Sequence, residues 1–394
     1  MSEIKVNSIK GVAASSAAIT VNNTDGTCTA NITNNLSNRR ININGGMAVW
    51  QRGTSSSVSD GSNETYQTVD RYGFKFGNAS AGAATVSQST DVPTNLGFPY
   101  SYKIDVTTIN NNSANDTQIL FYYRFEAQDI VNSGWKYNDS SSFLTISFYF
   151  KTNKSGTNKL PIQIETQDGT QYWYVSEITQ SDTSWNRYTV KIPGNSNLTF
   201  NADNGYGMEI AWYLTAGSTY HGTADTWGTT KIHGTSNSTN YMDSTSNDLF
   251  FTGIQIEATT DGIATDFEHR SYADELTRCE RYYQDIAPAE AEALISDTVD
   301  YDNTTYFTCD LHTPMRIAPS LVVGNHTDAF RLYGTNPRNV NTLLANTGVT
   351  TTSKILLYAT GGSSGSVGFA RVFKNTSGNQ SGGTYATIAV NAEL

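Results

Sequence analysis

The clearest alternation along the chain is Phe143-Leu144-Thr145-Ile146-Ser147-Phe148-Tyr149-Phe150, where Leu144, Ile146, Phe148 and Phe150 share one face and Thr145 and Ser147 lie opposite. A period of two is the signature of a half-buried strand. Arg187 to Ile192 repeats the pattern and is stopped by Pro193-Gly194-Asn195. Further strands are predicted at Tyr72 to Phe76, Ser101 to Val106, Gln118 to Phe125, Leu160 to Glu165, Tyr172 to Val175, Met208 to Leu214 and Leu249 to Ile256. Roughly ten strands without intervening helices predict an antiparallel two-sheet sandwich over residues 41–268.

One segment follows another period. Tyr272, Leu276, Cys279 and Tyr283 fall at i, i+4, i+7 and i+11, one stripe of a helix, which leaves Asp274, Glu275, Arg278, Glu280 and Arg281 for the other faces. Cys279 is expected to pack as a small buried hydrophobe. This amphipathic helix, with a helical turn or two at Ala289 to Ile295 after Pro288, predicts a connector over residues 269–296. Strands return at Thr305 to Leu311, Ser320 to Val323, Ala329 to Tyr333, Lys354 to Thr360, Gly368 to Lys374 and Ala386 to Ala392, predicting a smaller β domain over 297–394. At the other end, short strands at Glu3 to Ile9, Ala18 to Val21 and Cys28 to Ile32 bury little alone and gain order by pairing with other copies or a partner. Leu36-Ser37-Asn38-Arg39-Arg40 closes this 1–40 segment as a linker. The expected fold class is therefore all-β: an antiparallel jelly-roll β-sandwich, one connecting α-helix and a smaller C-terminal β domain.

Composition narrows the partners. Of 394 residues only 15% are charged, while Tyr numbers 23, so polarity comes mainly from Asn, Ser and Thr, which favour strands and turns. The net charge is −11 with a pI near 4.9 and no Lys/Arg run, which argues against nucleic acid, whose phosphates need clustered cations. No apolar run approaches the roughly 18–20 residues of a membrane span, so no membrane insertion is expected. Met1 to Lys10 has no apolar core of a secretory signal, which predicts synthesis in a cytoplasm. Cys28, Cys279 and Cys309 are too few and too far apart for a disulfide framework or a zinc cage.

Candidate chemistry is sparse. Gly361-Gly362-Ser363-Ser364-Gly365 matches a nucleophile pattern but precedes a predicted strand and has no histidine downstream, so it reads as a hairpin loop. His221, His233, His269, His312 and His326 show no metal-ligand spacing, and His269, amid Asp266, Glu268 and Arg270, is expected in a salt-linked structural role. Asp300-Tyr301-Asp302-Asn303 begins like a calcium loop, but Thr305 and Leu311 stand where Gly and Glu are needed. Glu126 with Asp129, Glu165 with Asp168, and Glu209 are candidate members of a glycosidase pair, though no pattern singles them out. Aromatic residues point elsewhere: sugar C–H faces stack on Trp and Tyr while hydroxyls bind amides and carboxylates. In Gln171-Tyr172-Trp173-Tyr174-Val175 the pleat places Tyr172 and Tyr174 on one face and Trp173 on the other, so one aromatic set is expected outside the core. Tyr220, His221, Asp225 and Trp227 cluster in a polar Gly-Thr loop. Tyr172, Trp173, Tyr174, Tyr220, Asp225 and Trp227 are the candidate glycan-binding residues, and Trp50, Trp185 and Trp212 are assigned to structure.

Two resemblances follow from wording. Thr265-Asp266-Phe267-Glu268-His269-Arg270-Ser271, the Cys279-Glu280-Arg281-Tyr282-Tyr283 helix end, Thr313-Pro314-Met315-Arg316-Ile317-Ala318-Pro319-Ser320 and the closing Val390-Asn391-Ala392-Glu393-Leu394 resemble segments of virion appendage proteins of tailed, especially marine cyanophage-like, phages. Ile43-Asn44-Gly45-Gly46-Met47, Phe143 to Phe150, Trp185 to Val190 and Thr252-Gly253-Ile254-Gln255-Ile256-Glu257 resemble the jelly roll of carbohydrate-binding modules. In those modules a Glu near the opening helps hold structural calcium. Here Met47-Ala48 stands in place of Phe-Glu, so calcium is unsupported and no cofactor is expected. The resemblance implies a non-enzymatic tail fibre or appendage subunit of the virion that adheres to host cell-surface glycan. It further implies a homotrimer joined to other tail proteins through its N-terminal segment. The alternatives are a structural adaptor of the tail that binds no sugar and a polysaccharide depolymerase.

Overall fold

The computed structural model describes residues 7–9, 12, 19–21, 24, 28–30, 38–61, 65–79, 81–111, 115–287, 298–301, 304–323, 330–333, 338–339, 342–360, 372–375 and 388–394. Leu36-Ser37, Pro288 with the Ala289 to Ile295 turn, Asp302-Asn303, His326 and the Gly361 to Gly365 pattern lie outside them.

Strands β1 (Ser8–Ile9), β2 (Ile19–Val21) and β3 (Cys28–Ala30) form a small antiparallel sheet of their own. The sandwich follows, from β4 (Ser55–Ser59), β5 (Tyr72–Gly77), β6 (Ala83–Ser89), β7 (Ser101–Thr108), β8 (Gln118–Glu126), β9 (Phe143–Thr152), β10 (Asn158–Thr166), β11 (Trp173–Gln180), β12 (Asn186–Pro193), β13 (Tyr206–Ala216) and β14 (Asp248–Thr259). Its sheets have the orders β11-β10-β13-β8-β5 and β12-β9-β14-β7-β6-β4, and all their pairings are antiparallel. Leu144, Ile146, Phe148 and Phe150 point inward and are fully buried, as their alternation requires. They meet Trp212 at the centre, whose ring lies 5.5 Å from Phe121 and 5.6 Å from Phe148. Such aromatic pairs add ~0.5–1.5 kcal/mol each beyond the area they bury.

Three expectations need correction. β9 is buried on both faces, not one: Thr145 and Ser147 are as covered as the apolar set. The chain after β14 returns across this outer face, where Thr265 donates to Glu257 and Arg187 bonds both Ser147 Oγ and Thr265 O. Secondly, a helix does interrupt the strands. The short α1 (Ala127–Val131) follows β8, and its first backbone donors are satisfied by Gly205 O and Asp203 O at 2.9 Å.

Thirdly, the connecting helix α2 (Tyr272–Glu280) starts at a Ser271 cap, whose hydroxyl accepts from Asp274 N at 3.2 Å, and packs Leu276 and Cys279 of the expected stripe inward, but Glu275 joins them and Tyr272 does not. Glu275, Cys279 and Tyr282 face inward, Tyr272 is 60% exposed, and Tyr283 belongs to the next strand. Glu275 turns in because the buried Arg40 guanidinium and Asn44 N–H require an acceptor.

Beyond α2 come β15 (Tyr283–Ala287), β16 (Thr298–Tyr301), β17 (Thr304–Asp310), β18 (Ser320–Val323), β19 (Phe330–Tyr333), β20 (Arg338–Asn339), β21 (Thr342–Ala345), β22 (Lys354–Thr360), β23 (Val372–Asn375) and β24 (Ile388–Asn391). They form three sheets, β15-β24-β18, β16-β17-β22-β21 and β20-β19-β23, and the first two share a second core that includes Phe307, Ile355, Leu357 and Val390. Ion pairs tie this part to the sandwich: Arg281 bridges to Glu126, and Glu393 reaches Arg52 and Arg71.

Candidate functional site

β11 and β12 are the outermost strands of their respective sheets, and the side of the sandwich between them stays open. A cleft of about 630 Å³ runs along it, inside the ~300–1,000 Å³ range of ligand clefts. Tyr174, Tyr188 and Val190 supply apolar surface, and Glu177, Lys191 and Asp225 supply charge.

The loop after β13 builds the mouth by pairing with the free edge of β11. Asp225 N donates to Val175 O at 2.7 Å, and Trp173 and Gly228 exchange backbone bonds at 2.8 and 3.0 Å. These bonds hold exposed Asp225 at a φ of +59°, a left-handed conformation that Asp tolerates better than most residues. Its carboxylate accepts a long bond of 3.4 Å from Tyr174 Oη. Burial and then this carboxylate push the Tyr174 hydroxyl well above its ordinary range, so it remains a donor. Behind this lining, Trp227 packs against Tyr174 with ring centroids 5.1 Å apart and against the main core, and its Nε1 donates to Pro193 O at 2.8 Å, tying the loop to β12.

Of the six residues singled out from sequence, Tyr174, Asp225 and Trp227 come together here. Tyr172 is half-buried against the main core. Trp173 lies on the other face of β11, outside the main core as the alternation requires, but is only 8% exposed because the loop carrying Ile232 covers it. Tyr220 packs tilted against His233 with ring centroids 4.3 Å apart, away from the cleft lining. Sequence reasoning missed Tyr188 as a lining residue, although the alternation of Arg187 to Ile192 puts it on one face with Val190. The structural assignments of Trp185 and Trp212 match their settings: Trp185 Nε1 donates to Asp91 at 2.8 Å, and Trp212 is fully buried.

The carboxylates occupy other places. Glu126 is fully buried; burial raises its pKa, but hydrogen bonds from Arg281 and Tyr282 outweigh this and hold it below the usual range. Asp168 ties two loops together by accepting from the backbone and side-chain amides of Asn201. Glu165 and Glu209 are register partners on β10 and β13 and line a pocket of about 280 Å³ on the outer face of the five-stranded sheet. Each is already bonded internally, Glu209 to Arg124 at 2.9 Å and Tyr206 at 3.2 Å, and Glu165 to Gln167 at 2.8 Å. His269 makes ring contacts with Phe98 and Phe267 at 5.2 and 4.8 Å, so its expected salt link is replaced by aromatic packing, while Glu268 accepts from Asn38 N, Arg40 N and Arg270. Among the described residues, no three His, Cys, Asp or Glu side chains group as metal ligands, and no helix is long and apolar enough to cross a membrane.

His233 is fully buried between Tyr213 and Tyr220, and neither ring nitrogen has a hydrogen-bond partner among the described residues. Burial, reinforced by Lys231 and Lys75, holds its pKa well below 6.5. The unfolded chain therefore takes up this proton first, so the stability His233 contributes is complete above pH 6.5 and is lost as the pH falls below it. Asp70 and Asp129, raised chiefly by burial from 3.8 to about 6, act oppositely, their contribution being lost as the pH rises through that window. Comparison with His233→Phe cancels them. Between pH 6.5 and about 5 the parent is expected to lose on the order of 1 kcal/mol per pH unit more than the variant in urea denaturation; parallel profiles would contradict this assignment.

No known family model and no curated protein matches the chain. Solved structures similar to it include the enzymatically active domain of bacteriophage CBA120 tailspike protein 4, at 12% identity and a TM-score of 0.29, over 56% of this chain and 22% of that one. The chain thus spans about a fifth of that structure's length. A family 4 carbohydrate-binding module is similar at 13% identity and a TM-score of 0.29, over 56% of this chain and 99% of the module. A putative sugar binding protein of Bacteroides thetaiotaomicron is similar at 9% identity and a TM-score of 0.30, over 56% of this chain and all, 100%, of that one.

Proposed function

We propose that the protein is a non-enzymatic tail fibre or appendage subunit of a tailed phage, and that the β11–β12 cleft binds saccharide on the host surface. The observation that carries this reading is the cleft mouth: an exposed carboxylate, Asp225, fixed in a left-handed conformation beside Trp227 and Tyr174. A ring face and a fixed acceptor are what a sugar needs, an apolar C–H surface to stack on and a partner for its hydroxyls. The phage-like phrasing around Phe267 to Tyr283 supports the virion setting. Residues 1–40 would attach to other tail proteins, 41–268 bind glycan, 269–296 connect and 297–394 form the distal β domain, in a homotrimer. Several copies on one particle would raise weak single-site affinity by roughly 10²–10⁴.

The test is a bacterial-surface glycan array probed with the full chain and with Asp225→Gly. Glycine keeps the positive φ without steric cost and removes the carboxylate. Binding by the parent that falls roughly tenfold or more in Asp225→Gly, about 1.4 kcal/mol, is the expected outcome. Failure of the parent to bind glycans or host cells, with stable association to purified tails, would favour a structural adaptor instead.

A second reading, a polysaccharide depolymerase, rests on the Glu165–Glu209 pair across neighbouring strands. Release of reducing ends from host polysaccharide, abolished in Glu209→Gln, would establish it.

A further inference from the structure

A second cavity, of about 600 Å³, opens where the approach to β4, the β6–β7 connection and the entry to α2 meet. Its walls are rings: Trp50, Tyr100, Phe267, His269 and Tyr272. Tyr272 is 60% exposed, although the helical stripe on which it sits leads into the core. The indole of Trp50, read from sequence as structural, is fixed by its Nε1 bond to Met47 O at 2.6 Å and by stacking on Tyr102 at 6.1 Å, yet it also lines the cavity. Phe267 and His269 are held in place by Phe98.

Polar groups complete the lining. Among the described residues, the Gln88 side-chain amide and the Tyr100 and Tyr272 hydroxyls have no protein hydrogen-bond partner, and Nε and Nη1 of Arg40 in the same lining have none either. The charges nearby are already balanced: Arg40 and Arg270 are paired with Glu275, and Arg270 also with Glu268. Burial lowers the His269 pKa below 6.5, so its ring adds no charge at neutral pH. Fixed ring faces, an unused amide and unused hydroxyls, with no net charge to spare, suit a neutral polyhydroxylated ring.

We infer that this cavity is a second binding site for a neutral saccharide. It does not depend on the β11–β12 cleft. The cleft lies on β12 and the cavity beside β6, at the two ends of the six-stranded sheet, four strand spacings or about 20 Å apart. One chain would then contact a surface polysaccharide at two points.

The experiment uses the six Trp indole N–H signals of the full chain, recorded during titration with glucose, galactose and mannose tetrasaccharides. The Trp50 signal is expected to shift saturably with at least one of these sugars, and Tyr272→Ala is expected to weaken that response roughly tenfold while leaving the Trp227 response unchanged. Tyr272 is exposed, so the variant should keep its melting temperature, and Gln88→Leu provides a second variant with the same expected loss. A Trp50 signal unmoved by all three sugars, or moved equally in the parent and in Tyr272→Ala, would overturn the inference. Movement of Trp227 alone would uphold the cleft and overturn this second site; movement of Trp50 alone would uphold the second site and count against the cleft.

Discussion

Glu393→Ala is expected to lower the stability of the sandwich by roughly 3–5 kcal/mol, the cost of leaving a buried charge without its partner. The Glu393 carboxylate accepts from Arg71 Nη1 and, at 3.0 Å, from Arg52 Nη2. Arg71 has no exposed side-chain surface, and its own backbone sits at a φ of +73°, unfavourable for a bulky residue. What holds it there is its surroundings: Arg124 O accepts from Nη2 at 2.7 Å, and Tyr282 lies under the guanidinium at 3.3 Å. Arg52 loses less, because Asp70 still accepts from it at 3.0 Å and Tyr283 lies under it at 3.8 Å. Urea denaturation should show a lower midpoint with an unchanged slope. Replacing both partners with apolar residues, Arg71→Met with Glu393→Leu, should cost much less than Glu393→Ala alone, since no charge is then stranded. A loss under about 1 kcal/mol for Glu393→Ala would show that Arg71 is not dependent on it.

Glu275→Ala is expected to cost a similar ~3–5 kcal/mol and to loosen the chain at residues 38–44 from α2. Its carboxylate takes Arg40 Nη2 at 2.5 Å, Arg270 Nη1 at 3.4 Å and the Asn44 N–H. Arg40 has 1% side-chain exposure, and its Nε and Nη1 have no acceptor among the described residues, so Glu275 carries most of its compensation, with the Phe267 ring at 5.0 Å. Denaturation gives the energy, and limited proteolysis gives the location: faster cleavage near Arg39-Arg40 is expected. Unchanged cleavage together with full destabilisation would place the loss in the helix alone.

How much of this was legible depends on where the burial comes from. β9, β18 and β22 could be read because their apolar alternation or runs carry the burial themselves. β4, with Val58 as its one large apolar residue, and β6, rich in Ala, Ser and Thr, carried no such signal and exist because β7 pairs with β6 and β6 with β4. The helix was readable, but its inward face was not, because a buried Arg40 some 235 positions away draws Glu275 inside. The same limit applied to the site: Tyr174, Asp225 and Trp227 could be proposed from local chemistry, while Trp173 was covered by a loop whose docking no local pattern announces. The aromatic cavity behind Tyr272 is assembled from four separate stretches of chain and has no local signature at all.

The most direct test of the account is isothermal titration of an array-positive oligosaccharide into the full chain, Trp227→Ala and Asp225→Gly. Saturable binding by the parent, lost or weakened roughly tenfold or more in both variants while each remains folded at the titration temperature, is the predicted result. Equal affinity in all three proteins, or no binding by the parent, would contradict it.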